Sequence, residues 1–124
     1  MLNHEWALAF ARDWIASWNA HDLPRILSHY TDDFVMSSPL IVERLGHSTG
    51  TLSGKDIVAE YWRPSLTLTP PLRFELLDVL VGVAELTIYY RSVGRRVVAE
   101  TLCLNDAGKA TRGIAQWSAL PATT

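Results

Sequence analysis

The order of periodicities along the chain predicts an α+β domain, helices first and an antiparallel sheet after them. Three observations carry this. Trp6, Phe10, Trp14 and Trp18 recur every four residues, the spacing of one helix face. β-Branched and aromatic residues then dominate four runs, 73–81, 84–92, 95–105 and 109–118. The links between those runs, at Gly82, Val93-Gly94 and Asp106-Ala107-Gly108, suit hairpins and are too short for crossover helices.

Each element can be justified in turn. Ala7, Ala11 and Ile15 widen the first apolar stripe, so a helix is expected over residues 3–19. Asp22 can cap a second, short helix whose first turn tolerates Pro24, with Ile26, Leu27 and Tyr30 on its buried side and Thr31 to Asp33 ending it. Residues 34–38 read as a strand stopped by Pro39, and residues 44–51, with two glycines and little periodicity, as a loop. Ser53 and Asp56 resemble a capping box opening a third helix through Ile57, Val58, Tyr61 and Trp62, which Pro64 disrupts. Pro70 and Pro71 close the connection, and the tail from Ala122 to Thr124 is expected to fray.

Composition bounds the function classes. A chain of 124 residues, 48% hydrophobic and 19% charged with a formal net charge of -2, suits one globular domain and argues against disorder or polyanion binding. Cys103 is the single cysteine, so no internal disulfide can form, and neither a basic leader nor a membrane-length apolar run is present. A reducing cytoplasm is the expected setting, without membrane insertion.

Searches for chemical motifs mostly exclude. Gly54-Lys55 does not complete a phosphate-binding loop, because Thr49 stands where its first glycine belongs and Asp56 where its hydroxyl belongs. His4, His21, His29 and His47 fall in separate elements without paired-ligand spacing, so no metal site is expected. Ser37 and Ser38 lack the glycine elbow that would present a nucleophile. Arg91, Arg95 and Arg96 cluster at a turn, which reads as a solvated rim and not as a nucleic-acid surface.

A family resemblance runs through nearly the whole chain. Trp14-Ile15-x-x-Trp18-Asn19-x-x-Asp22, Tyr30-Thr31-Asp32-Asp33-Phe34, Ser38-Pro39, Gly54-Lys55-Asp56-Ile57, Phe74-Glu75, Glu100 and Asn105-Asp106-Ala107-Gly108-Lys109 resemble nuclear transport factor 2-like proteins, and among them the small bacterial SnoaL-like proteins. The resemblance implies a cystatin-like cone, a curved antiparallel sheet packed on N-terminal helices around a small apolar pocket. It implies a small hydrophobic molecule as partner and no cofactor. Ketosteroid isomerase is a more distant likeness, in which a tyrosine and a protonated aspartate hold the substrate oxygen and a second aspartate moves the proton. Those positions correspond here to Trp14, Glu100 and Ser38. A serine hydroxyl is no general base near neutral pH, so ketosteroid isomerisation is not expected.

The residues themselves point to one polar group in the pocket. Glu100 shares side-chain parity with Val98, Leu102 and Leu104, an apolar face, so its carboxyl is expected to point inward. There it would stay protonated unless paired; the alternatives are an arginine partner or a place at the pocket mouth. Gly113, Ala115 and Trp117 alternate together, and by the resemblance that row lines the cavity wall. Trp14, Trp18, Tyr30, Ser38, Tyr61, Trp62 and Leu102 are the other expected lining residues, the aromatics reading equally as ordinary core. His47, in a glycine-flanked segment, is the candidate proton carrier or a surface histidine, and Glu43 with Arg44 either binds a polar group or pairs in solvent. Val97, Ala99, Thr101 and Cys103 form the opposite face of Glu100's strand, too apolar for full solvation, which predicts a homodimer through the sheet. Three functions fit: isomerase-, cyclase- or hydratase-type acid–base chemistry, non-catalytic ligand binding, and a protein-interaction module.

Overall fold

The computed structural model describes residues 2–46 and 48–119, so His47 and the end of the tail, including Ala122 to Thr124, lie outside the described residues. Helix α1 spans His4–Asn19, with the Asn3 side chain accepting from the Trp6 backbone N–H at 3.1 Å. A four-residue step overshoots one helical turn by about 40°, so a row of four drifts by about 120° around the axis. Trp14 and Trp18 therefore face the core with Ala7, Ala11 and Ile15, while Trp6 is 40% exposed.

Helix α2, Leu23–Leu27, is capped by Asp22 as expected but ends earlier than its apolar pattern suggests. Tyr30 belongs instead to strand β1, Tyr30–Ser37, because sheet pairing captures the backbone there: Ala110 N–H donates to the His29 carbonyl at 2.8 Å and Tyr30 pairs with Ala110. The next expectation also needs correction. Pro39 stops the strand but starts helix α3, Pro39–Leu45, with the Ser38 hydroxyl accepting from Leu40 N–H at 3.2 Å. Serine followed by proline is as much a helix entry as a strand exit, since proline suits the first helical position.

The remaining loop is short and leads into strand β2, Thr51–Ser53, and helix α4, Lys55–Trp62. Gly54, at φ 100°, caps α4 in place of Ser53. The Lys55 ammonium donates to the carbonyls of Leu27 (3.3 Å) and Tyr30 (3.2 Å), tying α4 to the link between α2 and β1. A 3-10 segment at Arg63–Thr67 continues past Pro64.

Strands β3 (Glu75–Val81), β4 (Glu85–Arg91), β5 (Val97–Leu104) and β6 (Ala110–Trp117) form the expected antiparallel meander, no end moving by more than two residues. The sheet is larger than that meander and mixed. Its order is β2-β1-β6-β5-β4-β3, with β1 parallel to β6. The long connection through α3, β2 and α4 gives the chain room to return in the parallel sense. Gly113 leaves room on the buried face for the Phe34 ring, since a Cβ there would stand 2.8 Å from Phe34 Cζ.

One face of the sheet carries the core: Leu86, Ile88 and Tyr90 on β4, Val98, Glu100 and Leu102 on β5, and Ala115 on β6 are all buried beneath the helices. Asn19 fastens α1 to the chain before β3 by donating to the Phe74 carbonyl (2.9 Å) and accepting from the Phe74 N–H (2.7 Å). No helix among the described residues is long and apolar enough to cross a membrane.

Candidate active site

The buried sheet face and the helices leave a cavity of about 270 Å³. Trp14 and Trp18 of α1 and Tyr61 and Trp62 of α4 wall one side. Leu72, Phe74, Tyr90, Ala115 and Trp117 continue the apolar lining with Met36, Leu68 and Val93, and Ser38, Leu40 and Arg44 border it from α3 and its cap. The aromatic wall is continuous: ring centroids lie 4.5 Å apart for Phe74 and Tyr90, 5.3 Å for Trp14 and Tyr90, and 5.0 Å for Trp18 and Trp62.

Glu100 is the single acidic residue in that lining among the described residues, and it is only 5% exposed. Register places it between Ile88 on β4 and Ala115 on β6, in the middle of the buried face. The Tyr90 hydroxyl donates to its Oε1 at 3.0 Å, so its partner is a phenol and not an arginine. Burial pushes the Glu100 carboxyl up to about 7, against a smaller lowering by the Tyr90 hydrogen bond. Near neutral pH the carboxyl can therefore both donate and accept a proton. Burial likewise raises the Tyr90 phenol well above its ordinary range, and the nearby Glu100 charge adds to that, so Tyr90 remains a donor.

Of the residues expected to line the pocket, Trp14, Trp18, Ser38, Tyr61, Trp62, Glu100, Ala115 and Trp117 do meet around it. Tyr30 and Leu102 do not. Tyr30 sits behind the wall, its hydroxyl accepting from Trp14 Nε1 at 2.7 Å, and the Trp14 indole N–H is thereby turned away from any occupant. Leu102 is wholly buried beside Gly113. Ser38 lines the cavity while its hydroxyl caps α3. His47 lies outside the described residues, and His4, His21 and His29 are not in the lining.

Tyr90 and Arg96 are among the lining residues that escaped the sequence reading. Tyr90 lies on the inward row Leu86, Ile88, Tyr90, one diagonal from Glu100; registering the strands about Gly94 would have placed it there. Arg96 was grouped with a solvated rim, but the three arginines part company. Arg91 pairs with Glu75 at 2.9 Å on the outer face, Arg95 is exposed at the turn, and Arg96 enters the cavity lining with its Cζ 5.6 Å from the Trp117 ring centroid. Trp18 Nε1 and Tyr61 Oη are buried without a partner in hydrogen-bonding geometry among the described residues. No group of three or more His, Cys, Asp or Glu among those residues could hold a metal ion.

Comparison with known proteins places this geometry. The model of the SnoaL-like domain family matches residues 11–117. A SnoaL-like protein of unknown function from Burkholderia thailandensis is 40% identical, with a TM-score of 0.89 over 94% of this chain and 97% of that one. A proposed ketosteroid isomerase from Kribbella flavida shares the fold at 13% identity, with a TM-score of 0.73 over 98% of this chain and 84% of that one. A protein with a cystatin-like fold from Methylobium petroleophilum, 18% identical, has a TM-score of 0.74 over 98% and 81%. No curated protein matches the sequence. With helices, curved mixed sheet and pocket in place and the family model spanning nearly all of it, the chain belongs to the SnoaL-like domain family.

Proposed function

We propose that the cavity takes a small, largely hydrophobic molecule and performs isomerase-, cyclase- or hydratase-type acid–base chemistry on it, with Glu100 as the acid or hydrogen-bond donor. The observation that carries this reading is a buried carboxyl, held by Tyr90 and titrating near 7, in the wall of an aromatic cavity. With Oε1 accepting from Tyr90, the proton of the neutral carboxyl belongs on Oε2, from which it can be given to a carbonyl oxygen of the occupant as a water molecule takes the α-proton, leaving the enol. A carboxyl titrating near the working pH is well matched to such a transfer.

The test is α-proton exchange into D2O, followed by proton NMR with cyclic ketones, enones and lactones. The wild type is expected to accelerate exchange in ligands it binds, and Glu100→Gln to lose the acceleration while keeping the affinity. Binding without exchange for every ligand would overturn the catalytic reading in favour of a carrier or sensor. One observation favours that second reading: Ser38, at the position corresponding to the isomerase's proton-moving aspartate, is occupied as a helix cap.

We also propose that two copies pair across the outer sheet face in a cytoplasmic setting, which the unpaired Cys103 suits. The row Leu80, Thr87, Thr101, Ile114 crosses that face without a charge, Leu80 being 55% exposed, and the next row, Asp78, Tyr89, Ala99, Gln116, adds one carboxylate.

A further inference from the structure

Besides Glu100, the described cavity lining contains two charged residues, Arg44 and Arg96. They are held alike. Arg44, in the last turn of α3, lies with Cζ 5.4 Å from the Tyr61 ring centroid and donates through Nη1 to Ser65 Oγ at 3.0 Å. Arg96, leading into β5, lies against Trp117 and donates through Nε to the Ser118 carbonyl at 2.9 Å, with Nη2 directed to the same oxygen. Each guanidinium is therefore fixed by an aromatic ring and by neutral oxygens.

Neither forms an ion pair among the described residues, whereas Arg25, Arg63 and Arg91 each meet a carboxylate. A guanidinium carries five N–H donors, so both retain donors beyond these contacts. Arg96 is half-buried and Arg44 exposed, and preorganised guanidiniums without a counter-charge are the arrangement that best receives a carboxylate or similar oxyanion. An aromatic-walled cavity also suits an organic cation, but two arginines on its lining oppose one.

We infer that the occupant of this cavity is an amphipathic anion, a carboxylate attached to an apolar body, with the carboxylate held by Arg44 and Arg96 and the body against Trp18, Trp62 and Phe74. This rests on the reading of the cavity as a site for a small apolar molecule and specifies its polar end. Glu100 then faces the body of the ligand, away from the charge, where a neutral carboxyl is tolerated and an ionised one would repel the head group.

Isothermal titration of the whole chain with 2-naphthoate, 2-naphthamide and 2-naphthylmethylammonium tests it. The carboxylate is expected to bind about tenfold or more tightly than the amide. That advantage should shrink as salt is raised, and should be lost in Arg44→Gln and in Arg96→Gln while amide binding stays the same. The salt series keeps the test decisive should a variant misfold. If the amide or the ammonium binds as tightly as the carboxylate, the anionic head group is overturned and the apolar-ligand reading stands. If none of the three binds, both fall together.

Discussion

Glu100 stands between opposing demands, which its neighbours settle at the scale of single atoms. The sheet face to which its strand position commits it is otherwise apolar, and removing its carboxyl from water costs more when it is ionised than the Tyr90 hydrogen bond returns. Linkage turns this into a stability profile. The unfolded carboxyl titrates near 4.5 and the folded one at about 7, so between those values the native state binds more protons and stability falls as pH rises. Measured against Glu100→Gln, whose side chain does not titrate, the wild type should be most stable below pH 4.5 and should lose about 3 kcal/mol of its relative stability as pH rises through 7. Urea unfolding of both proteins across that range checks it; parallel curves would mean that the carboxyl is not held in an apolar site. The inward direction of Glu100 was legible from strand parity alone. Its phenolic partner was not, because a diagonal contact depends on the register of two strands and not on either sequence by itself.

At the scale of elements, the cavity's floor and its cover were unequally readable. The floor is the meander, whose alternation and hairpin links fixed strand ends closely because a slip of one residue would have turned Glu100 and Leu102 outward. The cover is α3, seven residues long, and the sequence offered it only Ser38, Pro39 and Ile41, too little periodicity to separate a short helix from a loop. Its entry depends on one hydroxyl. Ser38→Ala should destabilise the protein by about 1 kcal/mol through loss of the cap, read as a lowered Tm or urea midpoint. Unchanged stability would show that Pro39 and the burial of Ile41 hold the helix without it. The parallel pairing of β1 with β6 was equally hidden, since nothing in β1 records which distant strand it meets.

At the scale of the molecule, one sheet face borders the cavity and the other is the face proposed above to meet a second copy. Light scattering at micromolar concentration should return twice the chain mass of 13.9 kDa, and Ile114→Lys on the outer face should halve it. A strictly monomeric wild type would remove the dimer and leave the cavity untouched. The distribution of indoles has a consequence of another kind. Trp14, Trp18, Trp62 and Trp117 all border the cavity, while Trp6, near the start of α1, is 40% exposed and outside the cavity lining. The protein therefore carries its own optical gauge: a guest that settles against those four rings alters most of the intrinsic emission at once, against a steady background from the fifth, so occupancy can be followed on unlabelled protein.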